Sequence, residues 1–197
     1  MVLPKQSKDK KLVWVRADIL SHISRIANRE GKTITTYVNE VLEQSIRVYD
    51  MKLTLTEVID LYMLTRISRE GGNLTIPRDV VKYLISKVYN SNREELMQIF
   101  YDTGAWFGKY ILARIGSENL VERLRQILYV NIWDLNEVYV DKNGNTISIR
   151  CVAPQLSMEE TELLASYVDG MLGSIGFKPV EREVIRGIIM VKVEGGV

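Results

Sequence analysis

The chain has 197 residues and a formal net charge of +1, with 46% apolar and 26% charged residues. This composition is typical of one or two globular domains and excludes a wholly disordered chain. One cysteine and one histidine exclude a disulfide framework, a cysteine-rich zinc site and a paired-histidine metal site.

The charge is concentrated at the N-terminus. Residues 1–32 contain eight Lys or Arg and three Asp or Glu residues, so this segment carries +5 and the remainder carries −4. We interpret residues 1–10 as a basic flexible tail. A basic N-terminal segment followed by a mildly acidic remainder is typical of a protein that binds a polyanion, although a solvated lysine-rich tail has the same charge.

Residues 11–50 predict one strand followed by two helices. Residues 12–17 are rich in strand formers, and Asp18 stands where it can cap a helix. Gly31 is placed to end this helix, and Thr33 is placed to cap the next one. Because so few elements bury little surface, we expect two copies to pair their strands as an antiparallel ribbon and to interlock their helices.

The stretch 11–48 resembles the ribbon-helix-helix DNA-binding domain of the MetJ/Arc/CopG type. The resemblance rests on the strand alternation, the pair Ile26-Ala27 and the segment Gly31-Lys32-Thr33. It implies an obligate dimer that inserts its ribbon in the major groove of double-stranded DNA and anchors a phosphate at the start of the second helix. The residues assigned to DNA are Lys10, Leu12, Trp14, Arg16, Lys32, Thr33 and Thr35. Trp14 has two interpretations, contact with thymine methyls or packing against the rest of the protein.

Residues 51–89 predict a helical connector. One helix is expected over 53–69 and another over about 78–89, with a break at Gly71-Gly72. No chemical motif is present in this segment, so we expect it to join the two ends or to add to the dimer interface.

Residues 90–197 predict an α+β domain with an antiparallel sheet. Capping boxes at Ser91 and Ser157 start two of its helices, and Asn143-Gly144 predicts a tight hairpin between strands 136–141 and 146–153. A last extended stretch covers about 179–193. Helices and strands are segregated in this order, which is typical of α+β domains.

This region resembles the 4-vinyl reductase ligand-binding domain. The resemblance rests on the segments 101–108 (YDTGAWFG), 167–176 (YVDGMLGSIG) and 180–183 (VERE). It implies a pocket for a small hydrophobic ligand between helices and sheet, and a sensor role. The cysteine-rich zinc site of sensor members is absent from this chain. Four residues are candidates for either core packing or the ligand pocket: Trp106, Phe107, Tyr110 and Met171.

These observations predict a dimeric, sequence-specific transcriptional regulator with a C-terminal domain for dimerisation or small-molecule sensing. The alternative is an antitoxin-like or scaffold protein whose N-terminal dimer holds a protein partner. We expect no enzymatic activity, because no nucleophile with a base, paired carboxylates or phosphate-binding loop is visible. We also expect no cofactor and no metal. Without a secretory signal or an apolar run of about 18 residues, we expect a cytoplasmic location and no membrane contact.

Overall fold

The computed structural model describes residues 11–118, 120–131 and 135–195. These residues form a four-stranded antiparallel sheet and six helices, which confirms the α+β class. The elements in chain order are α1 (Ala17–Arg29), α2 (Ile34–Asp50), α3 (Leu55–Glu70), α4 (Arg78–Ile115), α5 (Leu120–Asn131), β1 (Glu137–Asn143), β2 (Thr146–Val152), α6 (Met158–Ser174), β3 (Phe177–Ile185) and β4 (Ile188–Gly195). The chain divides into two compact units, Met1–Val58 and Ile59–Val197, and the division falls inside α3.

The first unit is built on the helix pair α1 and α2. Gly31 follows the end of α1 with φ of +67°, a left-handed conformation that suits glycine. Thr33 caps α2 by accepting a hydrogen bond from the Thr36 amide at 3.1 Å, as the sequence predicts. Among the described residues of this unit, Ala27 alone is buried, so the two helices share almost no core.

The structure does not show the predicted N-terminal strand. Residues 11–16 have no regular secondary structure, and α1 begins at Ala17. Asp18 does not cap this helix; it lies in the first turn and forms an ion pair with Arg16. A strand needs a neighbour for its backbone hydrogen bonds. In this unit no described segment supplies such a neighbour, so the single chain does not show the ribbon of a ribbon-helix-helix domain.

The sheet of the second unit has the strand order β1-β2-β4-β3. Strands β1 and β2 form the predicted hairpin, with Asn143 opposite Thr146 and Gly144 at φ +62°. Strands β3 and β4 form a second hairpin that turns at Gly187, where φ is +73°. Alternate residues of β2 and β4 point into the core, namely Ile147, Ile149, Cys151, Ile189, Val191 and Val193.

Helix α6 lies at the centre of the second unit. It starts at the predicted capping box, in which Ser157 and Glu160 exchange side-chain and backbone hydrogen bonds. It crosses α4 closely, because a Cβ atom on Gly170 would lie 2.0 Å from the Tyr101 carbonyl oxygen. A Cβ on Gly104 would lie equally near the Tyr167 carbonyl oxygen. The absence of a side chain at these glycines therefore allows α4 and α6 to pack in close contact.

Helix α4 replaces two separate predicted helices. The break expected before Ser91 is a kink within one continuous element, where Asn92 has φ −135° and ψ 35°. Within the described ranges, no helix combines the length and the apolar character needed to cross a membrane.

Candidate functional site

A cavity of about 610 Å³ opens within the second unit. The end of α3, the connection to α4, two parts of α4, the end of α5 and the start of α6 form its walls. Apolar side chains make up much of the lining, with Leu74, Ile76, Val81, Ile99, Phe100 and Val130 among them. Hydroxyl, amide and charged side chains are interspersed with them, so the cavity is amphipathic.

Short-range contacts hold the connection between α3 and α4 along one wall. Gly71 lets the end of α3 approach α4, since a Cβ there would lie 3.2 Å from ring atoms of both Phe107 and Tyr110. The Asn73 side-chain amide then donates to the Ser68 hydroxyl at 2.9 Å. Pro77 stands just before the first residue of α4 and favours extended backbone at the residue before it.

Tyr167 places a buried hydroxyl group at the cavity wall. The residue is 9% exposed, and no described residue meets its hydroxyl oxygen at full hydrogen-bond geometry, although the Asn73 side chain interacts with it more weakly. Burial raises the pKa of Tyr167, and the neighbouring Asn73 side chain moderates the rise. A buried hydroxyl without a partner costs about 1–3 kcal/mol, which a ligand atom accepting its proton would offset.

Glu160 is the one carboxylate among the described lining residues, and it already has partners. It is 1% exposed, and its carboxylate accepts the Ser157 backbone N–H at 2.7 Å in the capping box. This carboxylate therefore stabilises the start of α6 at the cavity wall.

The four aromatic and methionine candidates for a pocket lie elsewhere. Phe107 and Met171 are fully buried in the core. Trp106 is 52% exposed and stacks on Tyr110 with ring centroids 5.2 Å apart. None of the four lines the cavity. One signal in the sequence favours the observed wall: Phe100 and Thr103 lie one helical turn apart, which places an aromatic ring beside a hydroxyl.

The described residues assigned to DNA lie on the segment 11–16 and around the start of α2. Lys10 lies outside the described residues. Leu12, Trp14 and Arg16 are exposed on the irregular segment 11–16. Thr33 caps α2, and Thr35 is exposed in its first turn.

Lys32 forms ion pairs with two neighbouring carboxylates. Its ammonium lies 2.7 Å from Glu40 and 2.9 Å from Glu30, and these contacts raise the pKa of Lys32.

Comparisons with known proteins give a distant likeness. No family model and no curated protein matches the chain. Among solved structures, the chain is similar to an oxygen-binding H-NOX domain related to soluble guanylate cyclases, with 13% identity, a TM-score of 0.38, and coverage of 68% of this chain and 85% of that one. It is also similar to a structure from work on heme distortion in the H-NOX family, with 13% identity, a TM-score of 0.39, and coverage of 73% and 90%. A likeness of this size carries no function over to this chain.

These findings correct the family resemblances inferred from the sequence. The solved structures named above are H-NOX domains, not ribbon-helix-helix or 4-vinyl reductase proteins, and no family model supports either resemblance. The interpretation as a sequence-specific DNA-binding regulator is therefore wrong. The antitoxin-like or scaffold alternative belongs to the same functional interpretation, and none of these comparisons supports it.

The residues of the second unit do not fit a heme held by histidine or cysteine. The single histidine of the chain, His22, is exposed in the first unit, where its ring nitrogens face Arg25. Cys151 is buried in β2, where burial raises the pKa of its thiol to about 12. Neither residue lines the cavity.

Proposed function

We propose that the second unit is a binding module for a small, partly apolar molecule, which occupies the cavity beside Tyr167. The observation that carries this proposal is the buried Tyr167 hydroxyl, which lacks a well-formed hydrogen bond to any described residue. Buried polar groups in folded proteins are nearly always hydrogen-bonded, and an orphaned one at a cavity wall indicates a missing ligand atom or an ordered water molecule.

The size and chemistry of the cavity support the same proposal. A volume of about 610 Å³ lies within the range of small-molecule sites, about 300–1,000 Å³. Apolar walls supply affinity in such sites, and a few polar groups fix the orientation of the ligand. We propose binding without catalysis, because the lining carboxylate of Glu160 is engaged in a capping box.

The framework around the cavity is preorganised. Helices α4 and α6 meet backbone to backbone at Gly104 and Gly170, where even a methyl group would collide. A rigid wall avoids the entropic cost of ordering during binding.

Calorimetric titration with decan-1-ol tests this proposal in the full-length protein. We expect one binding site per chain in the wild type. Thr103→Trp, which projects an indole from the cavity wall, should abolish binding. Gln98→Trp places the same side chain at an exposed position of α4 outside the lining and should leave binding intact. Absence of binding to the wild type, or equal binding to both variants, contradicts the proposal.

We propose, secondly, that the first unit pairs with a second copy of the chain. Large apolar side chains are exposed along α1 and α2, including Ile19, Val41, Leu42 and Ile46. With only Ala27 buried among its described residues, this helix pair lacks a core of its own. A second copy brings an identical apolar surface, which is the usual solution in symmetric dimers.

Light scattering coupled to size-exclusion chromatography tests the pairing. Ile46, which is 61% exposed, lies on the apolar face of α2, and Gln44 is an exposed polar neighbour on the same helix. We expect the wild type and Gln44→Lys to elute as dimers and Ile46→Lys to shift towards the monomer. A monomeric wild type would refute the pairing, and so would an Ile46→Lys variant that stays dimeric.

A further inference from the structure

Two threonines of the cavity wall have already used their hydroxyl protons. Thr103 on α4 donates its hydroxyl to the Ile99 carbonyl oxygen at 2.7 Å. Thr65 on α3 donates its hydroxyl to the Leu61 carbonyl oxygen at 2.8 Å. A hydroxyl group has one proton and two lone pairs. These threonine oxygens can therefore accept a hydrogen bond from a ligand, but they have no proton left to donate to it.

Tyr167 presents the opposite capacity at the same cavity. No described residue accepts its O–H proton at full hydrogen-bond geometry. The Asn73 side chain acts on this hydroxyl as a donor, because it lowers the pKa of Tyr167 against the effect of burial. Tyr167 therefore needs an acceptor, and a ligand atom with a lone pair can supply it.

Tyr167 and Thr103 lie where α6 crosses α4. Gly104 follows Thr103 in the chain, and a Cβ atom on it would lie 2.0 Å from the Tyr167 carbonyl oxygen. The side chains of Tyr167 and Thr103 both line the cavity. A donor and an acceptor therefore border the cavity from two helices that are in backbone contact.

A single ligand group can satisfy this donor and this acceptor only if it both accepts and donates. A carboxylate accepts without donating, and an ammonium group donates without accepting. A hydroxyl does both on one oxygen atom. The apolar lining at Leu74, Ile76 and Val81 then remains for a hydrocarbon body.

We infer that the cavity takes a neutral amphipathic alcohol, whose hydroxyl accepts the Tyr167 proton and donates its own proton to the Thr103 oxygen. This inference rests on the proposed function. It adds the requirement for a donor on the ligand, which neither the cavity volume nor the Tyr167 hydroxyl imposes.

Calorimetric titrations of the full-length protein with decan-1-ol and decan-2-one separate the two ideas. The probes have the same numbers of carbon and oxygen atoms, but the ketone oxygen can only accept a hydrogen bond. We expect the wild type to bind decan-1-ol about fivefold more tightly, as one additional hydrogen bond predicts. Thr103→Val keeps the branched shape and removes the accepting oxygen. It should weaken decan-1-ol binding about fivefold and leave decan-2-one binding unchanged.

Ser86→Ala is the matched control. The Ser86 hydroxyl also donates to a backbone carbonyl oxygen on α4, that of Tyr83, and Ser86 lies outside the cavity lining. This variant should alter neither titration, whereas Tyr167→Phe should weaken the binding of both probes, since each offers an acceptor.

Three results would overturn the alcohol inference and leave the binding module standing. The first is a wild type that binds decan-2-one as tightly as decan-1-ol or more tightly. The second is a preference for decan-1-ol that survives Thr103→Val, and the third is a Tyr167→Phe variant with unchanged affinity for both probes. Failure of both probes to bind the wild type would remove the proposed function itself.

Discussion

Two buried tyrosines in the second unit differ in one respect, the partners of their hydroxyl groups. Tyr89 is 7% exposed, donates to the Glu162 carboxylate and accepts from the Arg93 guanidinium at 2.9 Å. Tyr167 is 9% exposed, and its hydroxyl lacks a well-formed hydrogen bond to any described residue. We expect Tyr89→Phe to lower the free energy of unfolding by about 1–3 kcal/mol, because it deletes charge-assisted hydrogen bonds. Tyr167→Phe should leave this free energy unchanged or raise it by about 1 kcal/mol, because it deletes an unpaired buried hydroxyl.

Urea denaturation followed by far-ultraviolet circular dichroism measures both variants. The same atom is removed from two residues of nearly equal exposure, so loss of packing contributes similarly to both results. If Tyr167→Phe destabilises the protein as much as Tyr89→Phe, the Tyr167 hydroxyl already has a partner without ligand. The binding proposal would then lose the observation that carries it.

Three further predictions concern packing, titration and capping. Gly170→Ala should destabilise the second unit by about 1–3 kcal/mol in urea melts, because its Cβ would lie 2.0 Å from the Tyr101 carbonyl oxygen. Gly173→Ala is the control, because its Cβ would meet only the Tyr101 hydroxyl at 3.5 Å. This variant should be neutral or slightly stabilising in the same melts. Because burial raises the pKa of Cys151 from 9.0 to about 12, the free energy of unfolding should be unaffected by this thiol below pH 9 and fall at higher pH by up to about 1.4 kcal/mol per pH unit. Cys151→Ala should remove that part of the alkaline slope, and an unchanged slope would contradict the assignment. Thr33→Ala should lower the protection of α2 against amide exchange by about 1 kcal/mol through loss of its cap, and unaltered protection would show that the cap contributes nothing.

Elements whose signals lie close together in the chain could be predicted from the sequence. Asn143-Gly144 predicted the β1–β2 turn because a left-handed residue at position 144 needs only local chemistry. The box at Ser157 and Glu160 predicted the start of α6 for the same reason, since both partners lie within one helical turn.

The structure does not show the strand expected over residues 12–17, because strand formation depends on a partner distant in sequence or on a second chain. Alternation in this segment favours a pleated conformation, but alternation supplies no hydrogen bonds. In the structure Arg16 and Asp18 form an ion pair at the start of α1. Residues 11–16 lead into that helix without strand pairing to another described segment. The resemblance to a ribbon-helix-helix domain depended on this strand.

The cavity could not be predicted, because its walls come from distant parts of the chain. Arg69 on α3 and Tyr167 on α6 lie far apart in the sequence and line the same cavity. The hypothesis drawn from the sequence followed the aromatic residues Trp106, Phe107 and Tyr110, of which Trp106 is exposed and Phe107 is buried in the core. A helix with apolar residues on several faces gives no local sign of which face borders empty space.

Helix α6 links the cavity to the stability of the whole second unit. It is buried around most of its circumference, touches α4 at Gly170 and contributes Glu160 and Tyr167 to the cavity wall. A helix packed in this way cannot shift without moving its neighbours. Occupation of the cavity therefore stabilises the unit cooperatively, by about 2.7 kcal/mol at a ligand concentration 100 times the dissociation constant. That gain belongs to the unfolding of residues 59–197, and the exchange protection of α1 and α2 should not share it.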